Sequence, residues 1–300
     1  MNKFILLEET MNLQILTKIL GNHLQISYIC VLTNTYNMGN LKRKYQVNQE
    51  YFKNLDSSEK AYVLGFLHAD GNVCENYVKF GQVIINKDIV EKVNIALNSN
   101  YPIRELQPKN GNLFYEVSFH SVTMCKDLEK LGIVPNKSLI LEFPTFISDL
   151  LMPHFIRGYF DGDGCIWDGK PKKMMVKNEK KPGTMREKLV HNVKFTFTGN
   201  CNFINSLQDY LVRILGFKKT KLNFSKAKET KHICTMEYSG RGQVKRLYDY
   251  MYSNATIFGN TKKLKFENII CALDEKSFIE TVLTEETPEM VIVSQASQSL

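Results

Sequence analysis

Leu64-Gly65-Phe66-Leu67-His68-Ala69-Asp70-Gly71 and Arg157-Gly158-Tyr159-Phe160-Asp161-Gly162-Asp163-Gly164 decide how this sequence folds. Each is an apolar run with glycine at its second position and an Asp-Gly pair at its end. Both read as helices that stop at a carboxylate. Glycine inside a helix costs about 1 kcal/mol relative to alanine. Something must compensate, and close approach of two backbones is the usual reason. If Gly65 and Gly158 face one another, Asp70 and Asp163 emerge side by side at one end of the pair. Two acids held close together on rigid elements are the minimal equipment for binding a divalent metal and cleaving a phosphodiester.

Outward from these runs, the chain repeats itself. Asp56-Ser57-Ser58-Glu59 precedes the first run, and Asp56 with Glu59 has capping-box spacing, which predicts a helix from about 58 to 69. Alternation predicts strands over Tyr77–Asn86 and Leu113–Phe119. Apolar spacing predicts helices over Asp88–Leu97 and Ser121–Leu131. After the second run, Val193, Phe195 and Phe197 alternate with Lys194, Thr196 and Thr198, the cleanest half-buried strand in the sequence. A helix over Phe203–Leu215, a strand over Ile233–Tyr238 and a helix over Gln243–Tyr252 follow. The same strand-turn-helix order in both halves indicates an internal duplication. The halves differ by an insert, Asp168 to Asn192, rich in lysine and broken by Pro171 and Pro182. It reads as a basic, hairpin-like loop suited to a DNA backbone.

Composition points the same way. The net charge is +8, but residues 271–300 hold six acids and one base, so residues 1–270 carry +13. A basic body fits a polyanionic partner. Lys42-Arg43-Lys44 forms a basic lead-in, and Met11–Leu20 has the spacing of a short amphipathic helix. The seven cysteines are scattered without a C-x-x-C pair, which argues against a disulfide framework and a zinc knuckle. With no signal-peptide pattern and no membrane-length apolar run, the expectation is an intracellular protein of cytoplasm, nucleoid or organelle, with no membrane partner. No H-N-H or H-E-x-x-H arrangement is present, against those nuclease and peptidase classes. The termini, Met1-Asn2 and Gln298-Ser-Leu300, lack the residues of a self-splicing intein, so a free-standing chain is expected.

The two octapeptides resemble the paired motif of the LAGLIDADG family, which contains homing endonucleases and some intron maturases. The second copy matches closely. The first departs at His68, which stands where the family has its first acidic residue; the metal-binding acid is the second, here Asp70. The resemblance implies a mixed α/β (α+β) class: a duplicated αββαββα homing-endonuclease fold, pseudo-twofold, with saddle-shaped antiparallel sheets. The implied divisions are an extension over 1–50, a first half over 51–148, a second half over 149–272 with its insert at 168–192, and an acidic tail over 273–300.

The implied activity is that of a monomeric, site-specific, double-strand DNA endonuclease of intron homing, using Mg²⁺ or Mn²⁺. Asp70 and Asp163 would bind metal, with the carbonyls of Ala69 and Gly162 as further ligands. The resemblance assigns a lysine to each half, Lys137 and Lys262, although Thr261-Lys262-Lys263 leaves the choice of the second open. Gly65 and Gly158 would form the helix interface. DNA would be read by the polar sheet faces, through Lys194, Thr196 and Thr198 and then Lys79 and Gln82, with Lys172 and Lys173 contributing from the insert. Gln82 and Thr196 are also candidates for orienting water. Two rivals share the fold: a maturase acting on intron RNA, and a non-catalytic DNA-binding regulator.

Overall fold

The computed structural model describes residues 44–109, 111–169, 172–177, 179, 181–190 and 192–271. The helix expected over Met11–Leu20 and the tail over 273–300 lie outside the described residues. The chain divides into two compact units at the Lys44–Tyr45 junction, and every described element belongs to the second.

The first half runs α1 (Ser58–Asp70), β1 (Asn72–Cys74), β2 (Tyr77–Val83), α2 (Lys87–Ala96), β3 (Arg104–Leu106), β4 (Phe114–His120) and α3 (Val122–Lys130). The second runs α4 (Met152–Asp163), β5 (Gly164–Asp168), β6 (Lys172–Lys177), β7 (Met185–Val190), β8 (Val193–Asn200), α5 (Cys201–Leu215), β9 (Asn223–Phe224), β10 (Ile233–Ser239) and α6 (Arg241–Tyr252). A last helix, α7, covers residues 260–271. With the β6–β7 hairpin set aside, both halves read αββαββα, and the class is α+β with antiparallel sheets.

Capping explains where α1 starts, and it corrects the sequence reading. The helix begins at Ser58, so the residue immediately before it reaches the free N–H groups. Ser57 accepts from the Lys60 N–H at 3.2 Å. Asp56, one residue too early to cap, pairs instead with the Lys60 ammonium at 2.9 Å.

The two motif helices form the centre. α1 and α4 make the most extensive contact between any two described elements. A methyl group added at Gly65 would strike the Phe155 carbonyl oxygen, and one added at Gly158 would strike the Tyr62 carbonyl oxygen. Tyr62 and Phe155, like Gly65 and Gly158, stand at equal offsets from Asp70 and Asp163. These reciprocal collisions are the signature of a local twofold relation, and they account for glycine at both positions.

Each half contributes one four-stranded antiparallel sheet, β1-β2-β4-β3 and β5-β8-β10-β9. In the first, Asn72 lies opposite Lys79; in the second, Cys165 lies opposite Thr196. Asn72 and Cys165 each follow their motif carboxylate by two residues, so β2 and β8 match with Phe80 equivalent to Phe197 and Gln82 equivalent to Gly199. Val78 and Phe80 on β2, and Phe195 and Phe197 on β8, are buried under the helices. Lys79, Lys194, Thr196 and Thr198 keep contact with solvent on the opposite face.

Two further differences from the sequence reading have local causes. β2 stops at Val83 instead of reaching Asn86, because Ile84–Asn86 wind into a 3₁₀ turn that leads into α2 and leaves Ile84 and Ile85 exposed. The edge strands β3 and β9 are too short to show a period. The insert is a two-stranded sheet, β6 with β7, with Lys173 opposite Leu189 and Lys177 opposite Met185. Residues 46–52 close against the first half: Asn48 N–H donates to the Leu97 carbonyl at 3.0 Å, and Tyr51 and Phe52 are buried.

Candidate active site

Two helices ending at one place create a local excess of negative charge. The last carbonyls of a helix lack partners, and its C-terminus carries about half a negative charge. α1 and α4 both end here, and each adds a carboxylate, Asp70 and Asp163. The Asp70 carboxylate reaches across to the other helix: a methyl group on Gly162 would lie 2.7 Å from its Oδ2. Burial pushes the Asp70 carboxyl up to about 7, with the Asp163 charge adding to the rise and Lys262, Gln82 and Lys137 opposing it. Asp163 is exposed at its outer edge, yet the protein packed around its carboxyl still raises its pKa, against Lys137 and Lys262.

Two lysines answer that charge. Lys137 Nζ donates to the Ala69 carbonyl at 2.8 Å. Lys262 Nζ donates to the carbonyls of Phe160, Asp161 and Gly162 at 2.7, 2.8 and 3.1 Å. Ala69 and Gly162 are equivalent positions, so the lysines are equivalent too, and Lys262 is distinguished from Lys263, which pairs with Glu267 at 2.6 Å. Burial lowers the pKa of both Lys137 and Lys262, and the two carboxylates work against that fall. Lys262 sits in the first turn of α7, where a cation is repelled by the helix dipole. Bridging to the end of α4 compensates for that placement.

Each lysine is held in position by the opposite half. Asn200, the cap of α5, donates to the carbonyls of Ser138 and Leu139 at 3.3 and 2.9 Å, next to Lys137. On the other side, Lys92 of α2 donates to the Phe258 carbonyl at 2.7 Å and Asp88 accepts from Asn260 N–H at 2.9 Å. Thr261 Oγ1 donates to the Ile85 carbonyl at 2.9 Å. The site therefore exists only when both halves are assembled.

The polar groups behind the two carboxylates differ between the halves. Gln82 Nε2 donates to Asp70 Oδ2, and Asn86 in turn donates to Gln82 Oε1 at 3.3 Å. Gln82 thus lies on the core side of β2, turned to the carboxylate and away from the outward polar face on which sequence reading placed it. Its equivalent is Gly199, where a side chain would strike the Tyr159 hydroxyl. The first acidic position of the motif also splits. Asp161 is fully buried and accepts from the Tyr62 hydroxyl and from Gly259 N–H, both at 2.7 Å. Its equivalent His68 is buried against Phe155, with Nδ1 2.9 Å from the Leu64 carbonyl, and burial lowers its pKa to about 4.

Sequence reading missed Arg157. It is fully buried and donates from Nε to the Ile257 carbonyl at 2.9 Å and from Nη1 to the Met251 carbonyl, tying α4 to the end of α6 and the loop before α7. An arginine in an otherwise apolar run was the available signal.

Among the candidate DNA contacts, Lys79 is half-exposed and paired with Glu116 at 2.6 Å, and Lys194 pairs with Glu237 at 2.8 Å. Thr198 shares a hydroxyl contact with Thr235 at 2.9 Å, and Thr196 lies beside it on the same face of β8. Lys173 is exposed and pairs with Glu187 at 3.2 Å. Lys172 lies opposite Val190 at the base of the hairpin. The outward faces of both sheets are therefore polar and basic but carry their own acids.

The donor set suits a hard cation. Among the described residues no group of three or more His, Cys, Asp or Glu side chains converges to hold a metal. The two carboxylates leave positions for water and phosphate oxygens, while the Ala69 and Gly162 carbonyls expected as further ligands already accept from the Lys137 and Lys262 ammoniums. That partial cage fits Mg²⁺, which keeps several waters and uses one or two carboxylates.

Similar solved structures are LAGLIDADG nucleases. The LAGLIDADG meganuclease I-AabMI bound to uncleaved DNA is 15% identical over 75% of this chain and 93% of its own, with a TM-score of 0.46. The I-LtrWI LAGLIDADG homing endonuclease bound to target DNA is 14% identical over 80% of this chain and 94% of its own, with a TM-score of 0.45. The I-SmaMI LAGLIDADG homing endonuclease bound to cleaved DNA is 12% identical over 75% and 92%, with a TM-score of 0.42. No family model and no curated protein matches the chain. No helix among the described residues is long and apolar enough to cross a membrane.

Proposed function

We propose that this protein is a site-specific double-strand DNA endonuclease dependent on a divalent cation, Mg²⁺ or Mn²⁺, of the homing type. The observation that carries this reading is the pair of carboxylates at twin helix ends, each accompanied by a buried lysine on an equivalent carbonyl. A cation held by Asp70 and Asp163 would supply charge compensation at the scissile phosphate and acidify the attacking water.

The chain's own residues do the rest. Lys137 and Lys262 place positive charge beside the reacting phosphate and are fixed from the opposite half, so neither reorganises during the reaction. Gln82 orients the Asp70 carboxylate. The outward faces of β2, β4, β8 and β10 present polar side chains of the kind that read base edges from the major groove. Two half-sites on one chain suit two strands of one duplex.

The test is cleavage of a plasmid carrying the protein's own insertion locus, with and without Mg²⁺. Asp163→Asn should abolish linear product while duplex binding persists, because it removes a metal ligand and leaves phosphate contacts in place. Linearisation by purified Asp163→Asn protein at the wild-type rate would end the assignment. Binding of intron RNA without DNA cleavage would favour the maturase instead.

A further inference from the structure

The β6–β7 hairpin has no role in the chemistry, and among the described elements none packs extensively against it. β6 and β7 pair with each other and make no extensive contact with any other described element. Both faces meet solvent: Lys173, Met174, Met175 and Lys177 are exposed on one strand, and Met185, Arg186 and Glu187 on the other. A lone two-stranded ribbon is marginally stable in water. A ribbon of this kind gains from a partner laid along it.

The charge identifies the partner's chemistry. Residues 170–188 hold eight basic side chains against two acids, Glu179 and Glu187. Glu187 is already engaged by Lys173. The basic residues are lysines, with Arg186 the one exception, and Asn178 is the one carboxamide. Lysine is a flexible point charge suited to phosphate, whereas base edges are read by arginine and carboxamide forks. The hairpin therefore suits a nucleic-acid backbone and lacks the groups that read sequence.

Its position sets where that backbone lies. β5 leaves the site directly after Asp163 and pairs with β8 as far as Asp168 opposite Val193. The ladder continues as Gly169 N–H donates to the Asn192 carbonyl at 3.0 Å, and the hairpin follows. Gly164 to Lys177 is fourteen residues inclusive, and at about 3.3 Å each they set an upper bound of about 45 Å on the hairpin's reach, roughly 13 base pairs of duplex. In the first half the equivalent strand β1 turns back after Cys74. It reaches about 13 Å, roughly four base pairs.

We infer that the β6–β7 hairpin grips the phosphate backbone of duplex DNA outside the segment read by the sheets, so that the bound site has one long arm, on the side of the second half. This inference rests on the endonuclease reading and adds an asymmetric footprint to it. The long arm contributes affinity and salt dependence, and it adds little base discrimination, because phosphate contacts position and base contacts specify.

The experiment measures affinity of the full-length protein for duplexes bearing the insertion locus, trimmed stepwise from either end, over a salt series. The variants are Lys173→Gln/Lys177→Gln/Arg186→Gln, exposed positions that leave the ribbon's pairing intact, and Lys173→Arg/Lys177→Arg as the charge-keeping control. Each phosphate contact contributes a slope of about −0.9 in log K against log salt, so three lost contacts flatten the slope by about 3. The expected result is that flattening in the glutamine variant, with the arginine variant like wild type. Trimming one end should weaken wild type long before trimming the other, and the glutamine variant should lose that difference. Salt-dependent binding with equal slopes, or equal sensitivity at both ends, overturns the hairpin inference alone. Absence of duplex binding by wild type overturns it together with the endonuclease reading. A hairpin-dependent slope on structured RNA and not on duplex DNA overturns the choice of partner.

Discussion

Asp70→Asn should stabilise the protein more at pH 8 than at pH 5. Asp70 has an ordinary carboxyl value of 3.8 when unfolded and about 7 in the native state. The native state therefore holds a proton that the unfolded chain has released between these values. Stability falls as pH rises through that window and is flat above it. Three units at about 1.36 kcal/mol each set an upper bound near 4 kcal/mol on the cost of ionising Asp70 at pH 8. Asparagine removes the charge and keeps an oxygen toward Gln82 Nε2. It also removes an anion that supports Lys137 and Lys262, so the net gain is about half the bound, roughly 2 kcal/mol. For a domain of this size that is a rise in melting temperature of about 4–8 °C. At pH 5 the native carboxyl is protonated but the unfolded one has already ionised, so only about a third of the bound has accrued and the gap between the two proteins should be correspondingly smaller. Thermal denaturation at both pH values makes the comparison. Mg²⁺ should then narrow the gap at pH 8 by stabilising wild type and not the variant. A variant no more stable than wild type at pH 8, or equally more stable at both, would refute the reasoning.

Gly158→Ala should destabilise by about 3 kcal/mol or more, because the new methyl meets a backbone carbonyl that cannot move without parting α1 from α4. An unchanged urea midpoint would show that the helices are not in backbone contact. Gln82→Ala should slow one half-site more than the other, so that nicked circles accumulate ahead of linear plasmid. A wild-type ratio of nicked to linear product would assign Gln82 no part in positioning Asp70.

The central pair of helices was legible because backbone contact leaves a mark that sequence records: glycine at the same place in two apolar runs. The lysines were legible only through resemblance, since Lys137 and Lys262 lie 67 and 99 residues after Asp70 and Asp163, and nothing in the local pattern marks them. Gln82 was read as one more residue of a strand whose two faces were both mixed. Its role depends on register, which brings β2 back past the end of α1, and register is a tertiary fact. The helix α7 escaped periodicity because its first turn is anchored by the groups around Lys92 and Asp88, not by an apolar stripe. The cap at Ser57 turned on one residue of boundary, the resolution at which pattern reading fails.

The duplication is exact in the backbone contacts and broken in the polar groups, and the breaks fall on both sides of the site. Asp161 holds Gly259 and so fixes the turn that delivers Lys262, while Arg157 ties the same turn to α6. In the first half, His68 and Leu64 stand at those positions, and the turn carrying Lys137 is fixed by Asn200 from across the interface. Asp161 accepts from Tyr62 and Gly259 on Oδ2, while its Oδ1 is buried without a partner among the described residues; His68 uses Nδ1 on one carbonyl and leaves Nε2 likewise unpartnered. Conversely, Asp70 receives Gln82 where a side chain at Gly199 would collide with Tyr159. The lysine of the second half is thus the more firmly positioned, and the carboxylate of the first half is the more firmly oriented. Two strands presented to such a site meet different chemistry, although the acids and lysines that face them are the same.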